Sequence, residues 1–342
     1  MWLNGIYKDT IKTAFTMNTA QMPNGKSVLL AGATGYIGRY VARELMSRGY
    51  RVISLGRRAA QEQSEFFEQI LVDLCDAKAV ADLKNSLPEC SGIVSCLGSK
   101  TGGRRDAWAV EYDANQSLLN LSQDISAAPF ILLSAICVQK PRLEFQFAKR
   151  AFEDSLIASG VPYSIVRPTA YFKSLAGQID NVKRGKAFMM FDTGNRTACK
   201  PISGEDLAEF LCDCLDHPDR FNRVLPIGGP GPAITSEEQA EILFRLLGKP
   251  MKTRKIPSVF FQIVNGLLAP FSVFSERLAD TREFLRIGHY YATESMLLWD
   301  EKNKTYNPQK TPEFGSDRLE TFYQMVLETG LQDHDLGAHK LF

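Results

Sequence analysis

Lys149 follows Phe145 by four residues in the stretch "LEFQFAKRAF", and Ser134 lies upstream at the end of an apolar run. A tyrosine one helical turn before such a lysine would share its face and lend a phenolic proton to a reacting group. A phenyl ring has no proton to give. Chemistry at this place must draw its proton from elsewhere or need no acid there, while Lys149 keeps an ammonium and Ser134 a hydroxyl with which to hold a ligand.

A second set of residues indicates what that ligand would be. In "SVLLAGATGYIGRYVARELMSRGYRVISLGRR", an apolar run over 27–31 is followed by Gly32, Gly35 and Gly38. Gly32 permits a tight turn, Gly35 lets the backbone approach a pyrophosphate, and Gly38 lets a helix pack closely on a sheet. Thr34, Tyr36 and Ile37 fill the same turn and belong with the cofactor contacts. Flanked by a strand and a helix within about 30 residues, the triplet is a specific dinucleotide signal. Where NAD would need an acid to take its ribose hydroxyls, the second strand ends in Gly56, Arg57 and Arg58. Guanidinium groups there suit a 2′-phosphate, so the expected cofactor is NADPH.

The elements that must carry these residues follow from periodicity. Ile37, Val41 and Leu45 recur as the buried stripe of a helix, with Gly49 placed to end it. Further strands are expected at 51–55, 69–74, 92–98, 129–135 and 163–170, with helical segments between them. Asp73 would then reach the adenine or cap a turn, and Leu97 and Gly98 would lie beside the ribose and pyrophosphate. Repeated strand–helix units predict an α/β fold, a Rossmann-type doubly wound parallel sheet with its ligand at the carboxyl ends of the strands. Residues 26–232 would form this domain, preceded by a mobile leader over 1–25. A smaller, mostly helical substrate lobe would occupy 233–342, with 171–200 contributing to the cleft. Ser203 reads as the N-cap of a helix.

Composition excludes several classes. A net charge of +1 gives no reason to expect nucleic acid. Seven cysteines, none in a C-x-x-C pair, argue against zinc or iron–sulfur ligation, and no metal is expected. The longest apolar stretch, residues 259–274, is broken by Gln262, Asn265 and Pro270 and is too short to cross a bilayer. It reads as a packed or surface-docked helix pair, with transient membrane-surface contact the most it would support.

"LLSAICVQKPRLEFQFAKRAFE", "YSIVRPTAYFKSL", "LPIGGPGPAIT" and the pair "YYATESMLLWD" and "YNPQKTPEFGSDRLETFY" carry a closer likeness. From about Lys26 to Leu331 the chain resembles the 3,8-divinyl (proto)chlorophyllide 8-vinyl reductases, atypical relatives of the short-chain dehydrogenases that keep the lysine without the tyrosine. The resemblance implies reduction of the macrocycle's C8 vinyl group to ethyl by NADPH, with Lys149 orienting the nicotinamide ribose. Hydride addition to a vinyl conjugated with the ring spreads carbanion density over it, so the proton need not come from position 145. Tyr171, Tyr290, Tyr291 and His289 are the remaining donor candidates, and water is another.

A flat tetrapyrrole bearing a propionate needs an apolar slot and a cation. Phe145, Phe172, Phe188, Met189, Met190 and Phe191 offer the first, and Arg167, Lys173 and Lys200 the second. Phe145 and Phe172 serve equally well as core. The alternatives are an isoflavone reductase-like ene-reductase on a smaller substrate and a non-catalytic NADP(H)-sensing or assembly protein. With no long transit peptide visible, the resemblance implies a bacterial, cytoplasmic protein.

Overall fold

Each residue from Val28 to Ala31 is buried completely, which requires cover on both faces of the first strand, β1 (Ser27–Ala31). Because side chains alternate along a strand, Val28 and Leu30 enter one core and Leu29 and Ala31 the other. The computed structural model describes residues 25–330 except 61, 63, 271, 273 and 274, so all but the last residue of the expected leader lies outside the described residues.

Glycine turns and helices alternate with further strands: β2 (Arg51–Gly56), β3 (Phe67–Leu71), β4 (Ile93–Ser95), β5 (Phe130–Leu133), β6 (Tyr163–Pro168), β7 (Phe188–Phe191), β8 (Ala198–Cys199) and β9 (Arg223–Ile227). Seven of them form one parallel sheet in the order β3-β2-β1-β4-β5-β6-β9. The chain winds outward from β1 to β3 and then returns to β4. A crevice therefore opens at the carboxyl ends of β1 and β4, where such sheets hold ligands.

Two helical layers cover the sheet. On one side α1 (Tyr36–Ser47) buries Ile37, Val41 and Leu45 beside Leu207 and Leu211. On the other, α2 (Ala114–Asp124) and α3 (Glu144–Ala158) bury Leu118, Phe152 and Leu156. Gly49, at φ +79°, ends α1 in the left-handed conformation that glycine adopts without strain. The helix carrying Leu207 and Leu211, α4 (Gly204–Asp216), starts at Ser203, whose hydroxyl accepts the Asp206 N–H at 2.9 Å.

A separate core joins Phe172, Phe188 and Met190 to Leu243, Phe244, Tyr323 and Val326. It draws on β7, β10 (Ile234–Thr235), α5 (Ser236–Leu246) and α8 (Leu319–Thr329), while β11 (Thr253–Ile256) pairs in parallel with β7. Between β11 and α8, helices α6 (Val259–Leu268) and α7 (Glu276–Thr293) pack together. The expectation that the apolar 259–274 stretch is covered by packing holds on one face only. Val259, Phe260, Ile263 and Leu267 are exposed by half or more. Among the described residues, no helix is long and apolar enough to cross a membrane.

Candidate active site

The glycine loop fits a pyrophosphate for reasons of space. At Gly32, φ is +85° and a Cβ would stand 2.6 Å from the Cys96 carbonyl oxygen. At Gly38 a Cβ would stand 2.0 Å from the Gly32 oxygen, so α1 can lie against the turn only without one. The Gly35 N–H donates to Gly32 O at 2.9 Å, and Gly35 caps α1 without any side-chain acceptor. The N–H groups of the first turn are left for an anionic ligand. Thr34 and Tyr36 are half-buried at this turn, whereas the Ile37 side chain points into the core and offers only its backbone.

Arg57 and Arg58 stand exposed just past β2, on the rim of the crevice. Asp73 is exposed and its carboxylate accepts the Cys75 N–H at 3.1 Å, the turn-capping role. Leu97 is half-buried after β4, and Gly98 is exposed with open space around it.

Lys149 is held by a residue that sequence reasoning missed. Its ammonium lies 2.7 Å from Glu111 Oε2 and 3.5 Å from the Leu133 carbonyl oxygen. Glu111 sits in a π-helical turn, Trp108–Asp113, and its other oxygen accepts the Ser99 N–H and hydroxyl at 2.8 and 2.9 Å. Loop, π turn and α3 are thus tied together at the carboxyl end of β4. The signal was there to find: Glu111 falls on the stripe of Ala107, Ala114 and Leu118, all buried, where an acid must have a partner.

Several expected contacts are corrected. The Ser134 hydroxyl donates at 2.5 Å to Glu153, and Arg167 forms a two-pronged pair with the same carboxylate. Both are therefore committed to a buried cluster, since a guanidinium with 12% of its side chain exposed needs its counter-charge close by. Lys200 pairs with Glu313, and Lys173 is buried with its ammonium 4.9 Å from the Tyr36 ring. Phe172 is a core residue stacked near Phe322 at 5.5 Å. Phe145 packs with Ile136, Cys137 and Tyr290, the structural rather than the substrate-facing of its two roles.

Beyond the nucleotide crevice lies a cavity of about 230 Å³. The loops after β5 and β6 form its floor through Cys137 and Tyr171, and Phe188, Met189 and Phe191 of β7 form an apolar wall. Met190 is buried in the same core as Phe188, while Met189 and Phe191 occupy the other face of the strand, as alternation requires. Neither Arg167, Lys173 nor Lys200 lines this cavity. Burial pushes the Tyr171 phenol well above its ordinary value, and the nearby Cys96, Cys137 and Glu111 add to the effect, so it keeps its proton. Among the described residues, none takes its hydroxyl in a hydrogen bond. Tyr291 also faces the cavity, while Tyr290 donates to Cys137 O at 3.4 Å, and His289, with a pKa lowered first by burial, contacts Gln262 at 2.9 Å.

A doubly wound sheet, a glycine turn that admits a pyrophosphate and a lysine on the crossover from β5 to β6 define a nicotinamide-dependent oxidoreductase. The NAD(P)H-binding family profile matches residues 32–218. The chain is 46% identical over 333 residues to the divinyl chlorophyllide a 8-vinyl-reductase of Zea mays, covering 92% of this chain and 83% of that one. With the Cucumis sativus protein of the same name it shares 44% over 340 residues, 94% and 81% of the two chains. This protein belongs to the divinyl chlorophyllide a 8-vinyl-reductase family. Among solved structures, the Escherichia coli NADPH-dependent quinone oxidoreductase QOR2, complexed with NADPH, superposes with a TM-score of 0.64 at 16% identity. That match covers 88% of this chain and 99% of the other and speaks for the fold alone.

The bacterial, cytoplasmic location expected from the sequence is overturned, because the maize and cucumber relatives are chloroplastic plant proteins. Cellular addresses are read by receptors and leave no mark on the folded domain.

Proposed function

We propose that this protein reduces the C8 vinyl group of divinyl chlorophyllide or protochlorophyllide to ethyl, with NADPH as the reductant. The observation that carries this reading is likeness to the vinyl reductases over more than nine-tenths of the chain, 94% in the cucumber comparison. NADPH supplies the hydride.

The protein's own residues supply position and a proton. Arg57 and Arg58 meet the 2′-phosphate, with no acid at the end of β2 to take free ribose hydroxyls. Gly32, Gly35 and Gly38 admit the pyrophosphate, and the backbone at Leu97 and Gly98 flanks it. Lys149, steadied by Glu111, orients the nicotinamide ribose. Tyr171 offers the proton that Phe145 cannot, from the floor of the cavity. At about 230 Å³ the cavity is smaller than the roughly 300–1,000 Å³ of most ligand pockets, so it receives the vinyl-bearing edge of the disc and not the whole ring. Phe188, Met189 and Phe191 keep water from that edge.

Incubation of purified protein with divinyl chlorophyllide and NADPH tests the reading. A product heavier by two hydrogens, with its absorption shifted to the blue, is expected. NADPH that binds while the pigment stays unchanged would overturn it.

A further inference from the structure

We infer that α6 and the basic strand before it form a docking surface for an anionic lipid bilayer. Val259, Phe260, Ile263 and Leu267 are 50, 54, 57 and 68% exposed. Phe260, Ile263 and Leu267 follow one another by three and four residues, with Val259 four before Ile263, which sets them along one face of α6. The opposite face is seated: Phe261 lies 5.2 Å from Phe191, and a Cβ at Gly288 of α7 would come within 2.8 Å of the Phe261 ring. Arg282 fixes the end of the helix by donating to Asn265 at 3.1 Å. The exposed stripe is therefore the outer side of a helix anchored through Phe261 and Asn265.

Charge identifies the occupant. Residues 249–270 contain Lys249, Lys252, Arg254 and Lys255 and no Asp or Glu. All four cations are exposed, and Lys252, Arg254 and Lys255 pair with no acid among the described residues. Asp192, the acid at the start of α6, is taken by the Ser258 N–H and hydroxyl at 2.9 and 2.8 Å. A charge-free apolar helix with basic shoulders suits the boundary between lipid headgroups and acyl chains. A second copy of the chain suits it poorly. A two-fold contact would set these cations against each other. The stripe also presents only a few hundred Å², short of the ~800 Å² per partner of an ordinary protein interface.

Phe191, against which α6 rests, also lines the active-site cavity. A docked molecule would turn its cavity toward pigment dissolved in the membrane, a consequence that rests on the vinyl reductase reading. The docking itself does not.

Flotation of the full-length protein tests the inference, with vesicles of phosphatidylcholine alone or with about one-third phosphatidylglycerol. Binding to the anionic vesicles, weakened by salt, is expected. The triple variant Phe260→Ser, Ile263→Ser, Leu267→Ser should lower partitioning on the order of tenfold or more. Replacing Lys252, Arg254 and Lys255 with glutamine should lower it roughly fivefold per charge. Unchanged melting temperatures, and unchanged turnover of detergent-solubilised pigment, would show both variants folded. Absence of flotation with either vesicle, or flotation that neither variant weakens, would defeat the inference. So would a concentration-dependent dimer abolished by the serine variant without any lipid binding. Loss of pigment turnover in the unmodified protein would bear on the reductase reading and leave the lipid result standing.

Discussion

Lys149 Nζ lies 2.7 Å from Glu111 Oε2, with 12% and 3% of the two side chains exposed. A buried ion pair adds little net stability, yet removing one partner strands the other charge away from water. Lys149→Met should therefore destabilise the fold by about 3 kcal/mol and weaken NADPH binding. Adding Glu111→Gln should restore much of the stability and none of the affinity, because only the stranded charge is relieved. Urea unfolding and cofactor titration of the two variants read the separate effects.

Tyr171→Phe removes a hydroxyl at the floor of the cavity without opening a void. If the phenol is the proton donor, kcat should fall roughly a hundredfold or more while KM for pigment holds. The active form is the protonated one. Because burial raises this pKa above its ordinary 10.0, the wild-type kcat should show no alkaline fall due to Tyr171 below about pH 10. Above that pH the unfolded chain releases the proton first, so folding stability declines as pH rises. A variant with wild-type kcat would transfer the role to Tyr291 or to water.

If Arg57 and Arg58 set cofactor choice, they act through the 2′-phosphate, a group that NADH lacks. Charge-assisted bonds to a phosphate contribute about 1.5–3 kcal/mol, so each change to glutamine should raise KM for NADPH about tenfold. KM for NADH should stay within about twofold. Steady-state kinetics with both cofactors would decide, and equal losses for the two would remove the arginines from specificity.

Gly38 and Gly56 stand at opposite extremes of available space. A Cβ at Gly38 meets the Gly32 oxygen at 2.0 Å, while one at Gly56 meets nothing within 4 Å. Gly38→Ala should displace α1, lowering stability by about 3 kcal/mol and NADPH affinity at least tenfold, whereas Gly56→Ala should change stability by no more than about 0.5 kcal/mol. Chemical denaturation of the pair isolates the effect of close approach from the general loss of a glycine.

The sequence determined what depends on near neighbours along the chain. Continuous apolar runs, a glycine triplet and the Ile37–Val41–Leu45 stripe each record a local geometry, and together they made the parallel sheet and the nucleotide crevice legible, while longer motifs such as "YNPQKTPEFGSDRLETFY" carried the family likeness. Tertiary structure decided which of these side chains remain available. Arg167 and Ser134 looked free until Glu153, 14 and 19 residues away, was seen to claim both. Lys200 is paired with Glu313 across 113 residues, and Lys149 acquired Glu111 from a different helix. The same holds for α6, where Gln262 and Asn265 are the polar side chains among apolar ones and the contact with α7 determines which face is covered. A period in the sequence reports that a side chain must be buried or paired. Its partner is chosen by folding, because burial in a low dielectric makes charges seek each other across any distance along the chain.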